Sequence, residues 1–330
     1  MKLASLLRIA LAGAALATGA ASAAAEEATL KALSFLPRNA AYTKSFLEFV
    51  DAVNAEGKGS VRINYIGGPE TTPPIQQPPA LKNGVVDMIF YPTGQSLNFA
   101  PEGQALDGST TTPMEHRANG GLALLDAIWQ KKMNAKIVYH AAGGNAFYLF
   151  LAKEPKLKPD GAIDLAGQRI RSAAPWVKFV EAIGGTNVVL PPQDVYTALS
   201  RGVVDGTIWP IVSYRDFKWE QYTKFMVEPG FMRTNLLVIV NLDRWKALPD
   251  AARALVEKLG VEHEKRSYEA FQAIEKSDRA ALIKDGVKAV ELQGAARKAY
   301  LDHAYAAPWD QIKARAPESY EALRAKFYTR

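Results

Sequence analysis

The sequence predicts an α/β protein made of two similar lobes, and three observations support this fold class. Strand and helix patterns alternate through residues 29–91, which favours a largely parallel sheet covered by helices. The same alternation restarts at residue 164. Two segments, 73–92 and 191–210, also repeat each other at a constant offset of 118 residues (191 minus 73). A chain of this length can form two hydrophobic cores.

Three strands and two helices are predicted in alternation in the first half. The strands are predicted at 29–36, 61–65 and 87–91, the second of them from alternating apolar and polar residues. One helix begins near Tyr42, and a short helix that follows a proline-rich turn ends near Gly84. The first helix has four apolar residues at helical spacing on one face: Phe46, Phe49, Val50 and Val53.

The second half repeats the alternation of strand and helix. Residues 164–172 are predicted as a turn that feeds a strand, 176–183 as a helix and 187–190 as another strand. The continuous apolar run 236–240 predicts a buried strand, which we expect to pass back to the first lobe.

The last third of the chain is predicted to be mainly helical. Residues 251–282 alternate apolar and charged side chains in the way typical of one or two long amphipathic helices. Residues 295–327 are also helical in pattern, and Pro308 and Pro317 are expected to interrupt them.

The repeated segments share Pro-Pro, Ala-Leu, Gly-Val-Val-Asp and a closing Pro in the same order. In each copy a helix ends at glycine, a strand follows, and an aromatic-proline pair closes it. Chance reuse of a common helix-glycine-strand pattern is one explanation, and two related lobes are the other. Related lobes would place Tyr91 and Trp209 at the carboxyl ends of equivalent strands, where open α/β sheets bind ligands.

The amino terminus predicts export. Residues 1–25 have a basic start, a short apolar core and an Ala-x-Ala site, as in a secretory signal peptide, with cleavage after Ala23 or Ala25. An uncleaved membrane anchor is the alternative, but the apolar run is short for a span of about 20 residues. The prediction is therefore a periplasmic protein.

Composition excludes several kinds of site. The chain has no cysteine, which rules out a disulfide scaffold, a zinc-cysteine site and a catalytic thiol. The formal charge of +6 falls to +4 without Lys2 and Arg8 of the signal peptide (6 minus 2). Because the basic residues are dispersed, no nucleic-acid partner is predicted, although a mildly positive field attracts anions.

The chain also lacks the motifs expected of an enzyme. There is no phosphate-binding or dinucleotide-binding glycine motif, and 94–98 is one glycine short of a nucleophile elbow. None of the four histidines has the spacing of a zinc hydrolase site. We therefore predict no catalytic residue, metal or cofactor, with an exported enzyme or a ligand-sensing protein as less favoured alternatives. The role of His116, near a proline-rich loop, stays open.

The segment 164–206 resembles the signature region of the extracytoplasmic solute-binding proteins of TRAP transporters, the DctP-type family. Its ordered landmarks are Asp-Leu-Ala-Gly-Gln-Arg-Ile-Arg, Gly-Gly, and Leu-Pro-Pro-Gln-Asp-Val-Tyr-Thr-Ala-Leu-Ser-Arg-Gly-Val-Val-Asp-Gly. Residues 64–70, 81–88 and 245–249 resemble further landmarks, so the likeness covers essentially the whole mature chain. A binding protein of an ATP-driven transporter remains a rival interpretation.

The resemblance implies a fold and a role. It implies a two-lobed periplasmic binding protein of the Venus-flytrap type, with hinge strands and a long helix spanning both lobes. Lobe I would comprise 26–148 and 236–278, and lobe II would comprise 149–235 and 279–330. The lobes would close on an organic acid, and the monomeric protein would then dock on the small and large TRAP membrane subunits.

The resemblance also places a ligand anchor at Arg171, the arginine that ends the family's Lys-Ile-Arg-like strand. A guanidinium presents a rigid donor fork that fits a carboxylate through two parallel hydrogen bonds, which lysine cannot copy. The alternative is an arginine that pairs with a structural Asp or Glu. Arg169, two residues earlier, is predicted to be structural or to lie near the rim.

Departures from the family pattern shape the predicted ligand. Trp209 stands where many relatives have a ligand-binding Asn, and Tyr148 stands where some have a second anchoring arginine; the loop 107–113 also differs. This favours one carboxylate on an aromatic or apolar body, with a sugar acid or an aliphatic hydroxy or keto acid as the alternative. The remaining predicted pocket residues are Tyr91, Phe147 and Trp176, with Thr93 and Asn145 as polar contacts.

Overall fold

A computed structural model of the chain describes residues 27–329, so the predicted signal peptide at 1–25 lies outside the described residues. Among the helices of residues 27–329, none combines the length and the apolar character needed to cross a bilayer.

The described residues form strands throughout the first two thirds of the chain and one more near residue 290. In chain order the strands are β1 (Ala28–Ser34), β2 (Val61–Gly67), β3 (Met88–Pro92), β4 (Ala135–Ala141), β5 (Phe147–Leu151), β6 (Lys156–Leu157), β7 (Ile163–Asp164), β8 (Arg169–Ser172), β9 (Thr186–Val189), β10 (Gly206–Pro210), β11 (Phe225–Phe231), β12 (Leu236–Asn241) and β13 (Lys288–Glu291).

Helices lie between these strands and make up most of the carboxyl-terminal third. In chain order they are α1 (Ala41–Glu56), α2 (Gln77–Lys82), α3 (Gln104–Asp107), α4 (Pro113–Ala118), α5 (Gly121–Met133), α6 (Val177–Ala182), α7 (Pro192–Ser200), α8 (Leu242–Ala247), α9 (Asp250–Lys284), α10 (Gly294–Arg315) and α11 (Pro317–Phe327).

Two sheets define two lobes, which confirms the predicted α/β fold class. The first sheet has the strand order β2-β1-β3-β12-β4, and the second has the order β13-β11-β5-β10-β8-β9. Strand β3 is parallel to β1 and antiparallel to β12, and strand β10 is parallel to β8 and antiparallel to β5. The two central strands therefore have equivalent neighbours.

The repeat in the sequence corresponds to a repeat in the structure. At the end of α2 the Val85 N–H donates to Ala80 O over 2.9 Å, and at the end of α7 the Val203 N–H donates to Ala198 O over 2.8 Å. These pairs differ by 118 positions. The turn glycine of each copy has a positive φ, 69° at Gly84 and 64° at Gly202.

The strand that follows each turn is also attached in the same way. In the first lobe the Lys31 N–H donates to Asp87 Oδ2 over 2.8 Å, and in the second the Arg169 N–H donates to Asp205 Oδ2 over 2.9 Å. The repeated aspartate thus holds the neighbouring parallel strand in register in both lobes.

The chain crosses between the sheets at three places, two of them short segments and the third the helices α8 and α9, which lead from β12 to β13. It leaves the first sheet after Ala141 and enters the second at Phe147, and it returns between Phe231 and Leu236. The predicted limit of lobe I after residue 148 therefore falls inside β5, which belongs to the second sheet. The return of the apolar strand 236–240 to the first sheet, as β12, is as the sequence predicts.

Helix α9 is a single helix of 35 residues that contacts both lobes. On the first lobe Glu264 accepts hydrogen bonds from Arg117 Nη2 over 2.8 Å and from the His140 N–H over 3.0 Å. On the second lobe Arg279 Nε donates to Glu228 Oε1 over 2.7 Å. The predicted helix spanning both lobes is thus present.

Helix α10 and the residues after it contact the wall between the lobes. The helix continues through Pro308, contrary to the predicted interruption there, whereas Pro317 begins α11 as expected. Trp309 Nε1 donates to Gly108 O over 2.9 Å in the first lobe. Further along, the Thr110 N–H donates to Phe327 O over 3.0 Å.

Candidate ligand-binding cleft

One cavity lies between the lobes, at the edge where the strands of both sheets end. The space between atoms there amounts to about 470 Å³, including the open side of the cavity. Residues that follow β1 and β8, and residues that end β3 and β10, contribute to its wall. The lining residues are Phe35, Leu36, Tyr42, Pro92, Gly94, Gln95, Asp107, Phe147, Ala173, Pro175, Trp176, Trp209, Pro210, Thr234, Asn235 and Leu236.

Arg171 lies on β8, directly behind this wall, and only 1% of the residue is exposed. Its Nε donates to Leu190 O over 2.9 Å and its Nη1 to Ile208 O over 3.4 Å. No acidic side chain among residues 27–329 forms an ion pair with it, so the structural partner that the alternative interpretation requires is missing from that range. Burial lowers the pKa of Arg171 to about 9, which leaves it a cation at neutral pH.

Two tryptophans separate Arg171 from the cavity. The guanidinium carbon lies 5.8 Å from the ring of Trp176 and 5.3 Å from the ring of Trp209, within the range of cation-π contacts. Both rings line the cavity, and in the described part of the chain neither indole Nε1 has a hydrogen-bond acceptor. A buried cation and two free N–H donors therefore lie on one side of the cavity, and an anion is the group that would satisfy them.

Aromatic packing fixes the positions of these rings. Phe147, which also lines the cavity, packs edge-on against Trp176 with ring centres 4.9 Å apart. Trp209 packs edge-on against Trp219 at 5.3 Å. The side of the cavity contributed by the second lobe is therefore a rigid aromatic surface.

The wall contributed by the first lobe is more polar. Asn145 lies behind it, fully buried, and donates from Nδ2 to the Tyr42 hydroxyl. The Thr234 hydroxyl donates to Asn145 Oδ1 over 2.8 Å. Because Tyr42 and Thr234 line the cavity and Asn145 does not, the structure places Asn145 as a support for two lining residues.

Asp107, at the end of α3, is a buried acid in the same wall. It is 1% exposed, and its Oδ2 has no hydrogen-bond partner in the described structure. Burial raises the pKa of Asp107 well above its ordinary value, and hydrogen bonds from its own N–H and from the Asn235 side chain only partly oppose that shift.

Besides Asn145, two more predicted pocket residues do not line the cavity. Tyr91 is buried behind Phe35 with ring centres 5.5 Å apart. The Tyr148 hydroxyl donates to Glu275 Oε1 of α9 over 2.7 Å. For Thr93, which was also predicted to contact the ligand, the side chain lies outside what the structure describes.

The structure also shows which groups surround Arg169 and His116. Arg169 is exposed and pairs with Asp205, Nε to Oδ2 over 3.0 Å, as predicted for a structural residue. His116 is buried, and its Nε2 lies 2.7 Å from the Ser109 hydroxyl, beneath the loop and away from the cavity. Among the described residues no cluster of three or more His, Asp or Glu is arranged to hold a metal.

Sequence reasoning missed most of the first-lobe wall. Phe35 and Leu36 directly follow β1, and Thr234 and Asn235 directly precede β12. The rule that identified Tyr91 and Trp209, namely that ligands bind at the carboxyl ends of strands, also applies to Phe35 and Leu36. Thr234 and Asn235 lie at the same edge because β12 is antiparallel to β3. Asp107 had no comparable signal, because it follows no strand.

Comparisons with known proteins agree with this architecture. A family model described as bacterial extracellular solute-binding protein, family 7 (DctP), matches residues 34–314. A monocarboxylate 2-oxoacid-binding periplasmic protein of Nostoc sp. is 25% identical over 263 residues, which cover 74% of this chain and 69% of that protein.

Solved structures share the fold at low sequence identity. A TRAP periplasmic solute-binding protein from Desulfovibrio salexigens, with bound orotic acid, has a TM-score of 0.80 at 18% identity and covers 91% of this chain and 97% of its own. An extracytoplasmic solute receptor of Bordetella pertussis that binds pyroglutamic acid has a TM-score of 0.80 at 18% identity, covering 91% and 99%.

Proposed function

The chain belongs to family 7 of the bacterial extracellular solute-binding proteins, and from this membership we propose that it captures a small organic monocarboxylate in the periplasm. The two lobes close over the acid, and the closed protein delivers it to the small and large membrane subunits of a TRAP transporter. The family and the two-lobed fold are those of solute-binding receptors and not of enzymes.

The buried, unpaired guanidinium of Arg171 carries this proposal. An isolated buried charge is strongly unfavourable unless an opposite charge and hydrogen bonds compensate it. Residues 27–329 supply two backbone carbonyls and no carboxylate. A ligand carboxylate between Trp176 and Trp209 would supply the missing charge and accept from the free indole N–H groups.

One carboxylate and an aromatic or apolar body fit the rest of the lining. The second-lobe side consists of Phe147, Trp176 and Trp209 with alanine and prolines, and it contains no second basic residue. Flat rings stack on such surfaces, which supports an aromatic acid.

The named ligands of the relatives support an organic acid as the ligand, but they do not determine the part of the molecule that carries the acid group. Their ligands are named as a 2-oxoacid, orotic acid and pyroglutamic acid, three organic acids of different shapes. Sugar acids and aliphatic hydroxy or keto acids are therefore the alternative ligand class for the same site.

Closure follows from where the ligand contacts lie. The acid would touch Arg171 and the tryptophans on one lobe and Tyr42, Asp107 and Asn235 on the other. Because both sets are engaged together only when the lobes meet, ligand binding favours the closed state. The crossings between β4 and β5 and between β11 and β12 are the natural hinges.

A thermal-shift screen with two matched variants tests the proposal. Aromatic, aliphatic and sugar acids are added to the mature protein, and binding to the native state raises the melting temperature. Arg171→Met should weaken the best acid roughly 30-fold or more, because it removes one partner of a buried charge pair. Arg169→Met, which changes an exposed arginine two residues away, should change affinity less than about threefold.

The unliganded variants provide the folding control. Arg171→Met removes an uncompensated buried charge, so its melting temperature without ligand should not fall below that of the wild type. Equal affinities of wild type and Arg171→Met for the best acid would refute the anchor. A clear preference for dicarboxylates or for uncharged ligands would refute the monocarboxylate.

A further inference from the structure

The first-lobe wall holds a second polar group that the carboxylate site leaves unused. Asp107 is 1% exposed and lines the cavity, yet its Oδ2 has no hydrogen-bond partner in the described residues. Leaving a buried polar atom unpaired is unfavourable by an amount comparable to a lost hydrogen bond. An acid retained in this position therefore needs a partner that enters the cavity.

The protein itself cannot easily supply that partner. Asp107 and Arg171 form no ion pair, and the two tryptophans stand between Arg171 and the cavity. On the other side Oδ2 is close to the backbone of Gly94, where an added Cβ would lie only 1.9 Å from it, so no side chain fits at that position. The Asn235 side chain bonds to the carboxyl of Asp107 but leaves Oδ2 without a partner in the described residues. Because Asp107 lines the cavity, a ligand there can approach this carboxyl.

We propose that Asp107 is a specificity-determining residue that selects monocarboxylates bearing a hydroxyl group at the end remote from the carboxylate. The inference rests on the proposed function, because it takes the carboxylate to be held on the Arg171 side. The hydroxyl then bonds to Asp107 Oδ2 on the opposite lobe. The ligand class becomes hydroxy acids, of either aromatic or aliphatic skeleton.

A hydroxyl is the group that suits this acid in both of its protonation states. Burial favours the neutral carboxyl form of Asp107. When Oδ2 is protonated it donates a hydrogen bond, and when it is ionised it accepts one. A ligand hydroxyl can accept the first kind of bond and donate the second. A keto group accepts only and a methyl group does neither, so both leave Oδ2 unsatisfied in at least one state.

The same contact contributes to closure. Asp107 belongs to the first lobe and Trp209 to the second, so a hydroxy acid bridges the lobes through polar bonds at both ends. An acid without the hydroxyl makes its charged contact on the second lobe alone. Hydroxy acids should therefore bind with higher affinity than the same acids without the hydroxyl.

Calorimetric titration with matched ligand pairs tests the proposal. The pairs are 4-hydroxyphenylacetate with phenylacetate and 5-hydroxypentanoate with pentanoate, which differ within each pair by one hydroxyl. On the skeleton that the wild type binds more tightly, the hydroxylated member should bind roughly tenfold more tightly than its partner. In Asp107→Leu the ratio should fall to roughly twofold or less, with affinity for the unsubstituted acid kept or improved.

Asp107→Asn is the second variant, because its amide keeps the shape and a donor and should retain most of the preference. A wild-type ratio near one, or a ratio that survives in Asp107→Leu, would overturn the proposal. If the wild-type ratio is near one while Arg171→Met still loses the unsubstituted acid, the carboxylate-binding function stands and the hydroxyl selection fails. If the wild type binds no carboxylate at all, both proposals fall.

Discussion

At the scale of single residues, the cavity is bordered by buried polar groups that the protein does not fully satisfy. Arg171 is surrounded by two indole rings and two carbonyls, and Asp107 has one oxygen without a partner in the described residues. Packing alone would favour apolar side chains of similar volume at such positions. Their retention is what a binding site requires, since the ligand replaces the interactions that water provided in the unfolded chain.

Asp107→Asn should stabilise the unliganded protein in a pH-dependent way. The folded-state pKa of Asp107 is raised, so between the ordinary pKa near 3.8 and that raised value the native state binds more protons than the unfolded state. Stability contributed by this group is therefore complete below pH 3.8 and is lost as pH rises through the folded pKa. Asparagine does not titrate, so the variant avoids that loss.

The measurement is the free energy of unfolding by urea at pH 4 and at pH 7. We expect Asp107→Asn to be more stable than the wild type at pH 7, because the raised folded-state pKa of Asp107 lowers the stability of the wild type there. The difference should shrink toward pH 4. A difference that is the same at both pH values would mean that Asp107 stays ionised in the folded protein.

At the residue scale, the structure places Trp209 in the cavity wall, whereas two other predicted pocket residues lie outside it. Arg171 follows from the resemblance, and Trp209 follows from the internal repeat. Tyr148 was assigned to the pocket because it stands where some relatives have an anchoring arginine, and Asn145 was assigned as a polar contact, but in the structure they bond to Glu275 and Tyr42. Whether a side chain points into a cavity or into its wall depends on packing between distant segments, which spacing along one strand cannot specify.

At the scale of elements, the repeated unit is a helix, a glycine turn and a strand held by an aspartate. Gly84 and Gly202 have the same left-handed conformation, and both have open space around them: Asn241 Nδ2 is 4.0 Å from a Cβ added at Gly84, and nothing lies within 4 Å at Gly202. Their role is therefore conformational, with no steric requirement for a missing side chain.

Gly84→Ala and Gly202→Ala should each lower the free energy of unfolding by about 1 kcal/mol, because an L-residue is disfavoured at positive φ. The two losses should be similar, since the hydrogen bonds around the two turns are equivalent. Urea denaturation of the two single variants measures them. Gly57→Ala is the contrasting control, where an added Cβ would lie 2.5 Å from Val61 O and a larger loss is expected. A negligible loss at either repeated glycine would contradict the shared-turn argument.

Elements with a clear apolar pattern, whether periodic as in α1 and β2 or continuous as in β12, were predicted well, and α5 and β4 were not. Helix α1 and strand β2 have apolar residues at the expected period, and the structure has both close to the predicted bounds. Helix α5 and strand β4 were not predicted; six of the seven residues of β4 are buried, so its sequence has no alternation. Pro308 was expected to interrupt the helix, but α10 continues through it and the residue is buried.

At the scale of the whole molecule, α9 forms hydrogen bonds with both lobes through its middle and its carboxyl-terminal half. Glu264 accepts hydrogen bonds from Arg117 and from the His140 N–H in the first lobe. Glu275 accepts a hydrogen bond from the Tyr148 hydroxyl in the second lobe. The sequence predicts this long helix but not which side chains attach it. Those partners are more than 120 positions apart along the chain, and no local pattern connects them.

The variant Tyr148→Phe tests whether the Tyr148 hydroxyl stabilises the fold or contacts the ligand. Removing the hydroxyl takes one hydrogen bond from the partly buried Glu275, so the free energy of unfolding should fall by about 1 kcal/mol. Affinity for the best acid should change less than about threefold. Tyr196→Phe, whose hydroxyl bonds only to exposed partners, is the control and should change neither quantity. A tenfold loss of affinity in Tyr148→Phe would instead support its predicted place in the pocket.

The attachment of the carboxyl-terminal helices to the cavity wall has a consequence for biosynthesis. Gly108 and Thr110, directly after Asp107, bond to Trp309 and Phe327. The wall of the cleft is therefore complete only after the chain through Phe327 has been synthesised and folded. A nascent chain that still lacks α10 and α11 has an incomplete cleft wall.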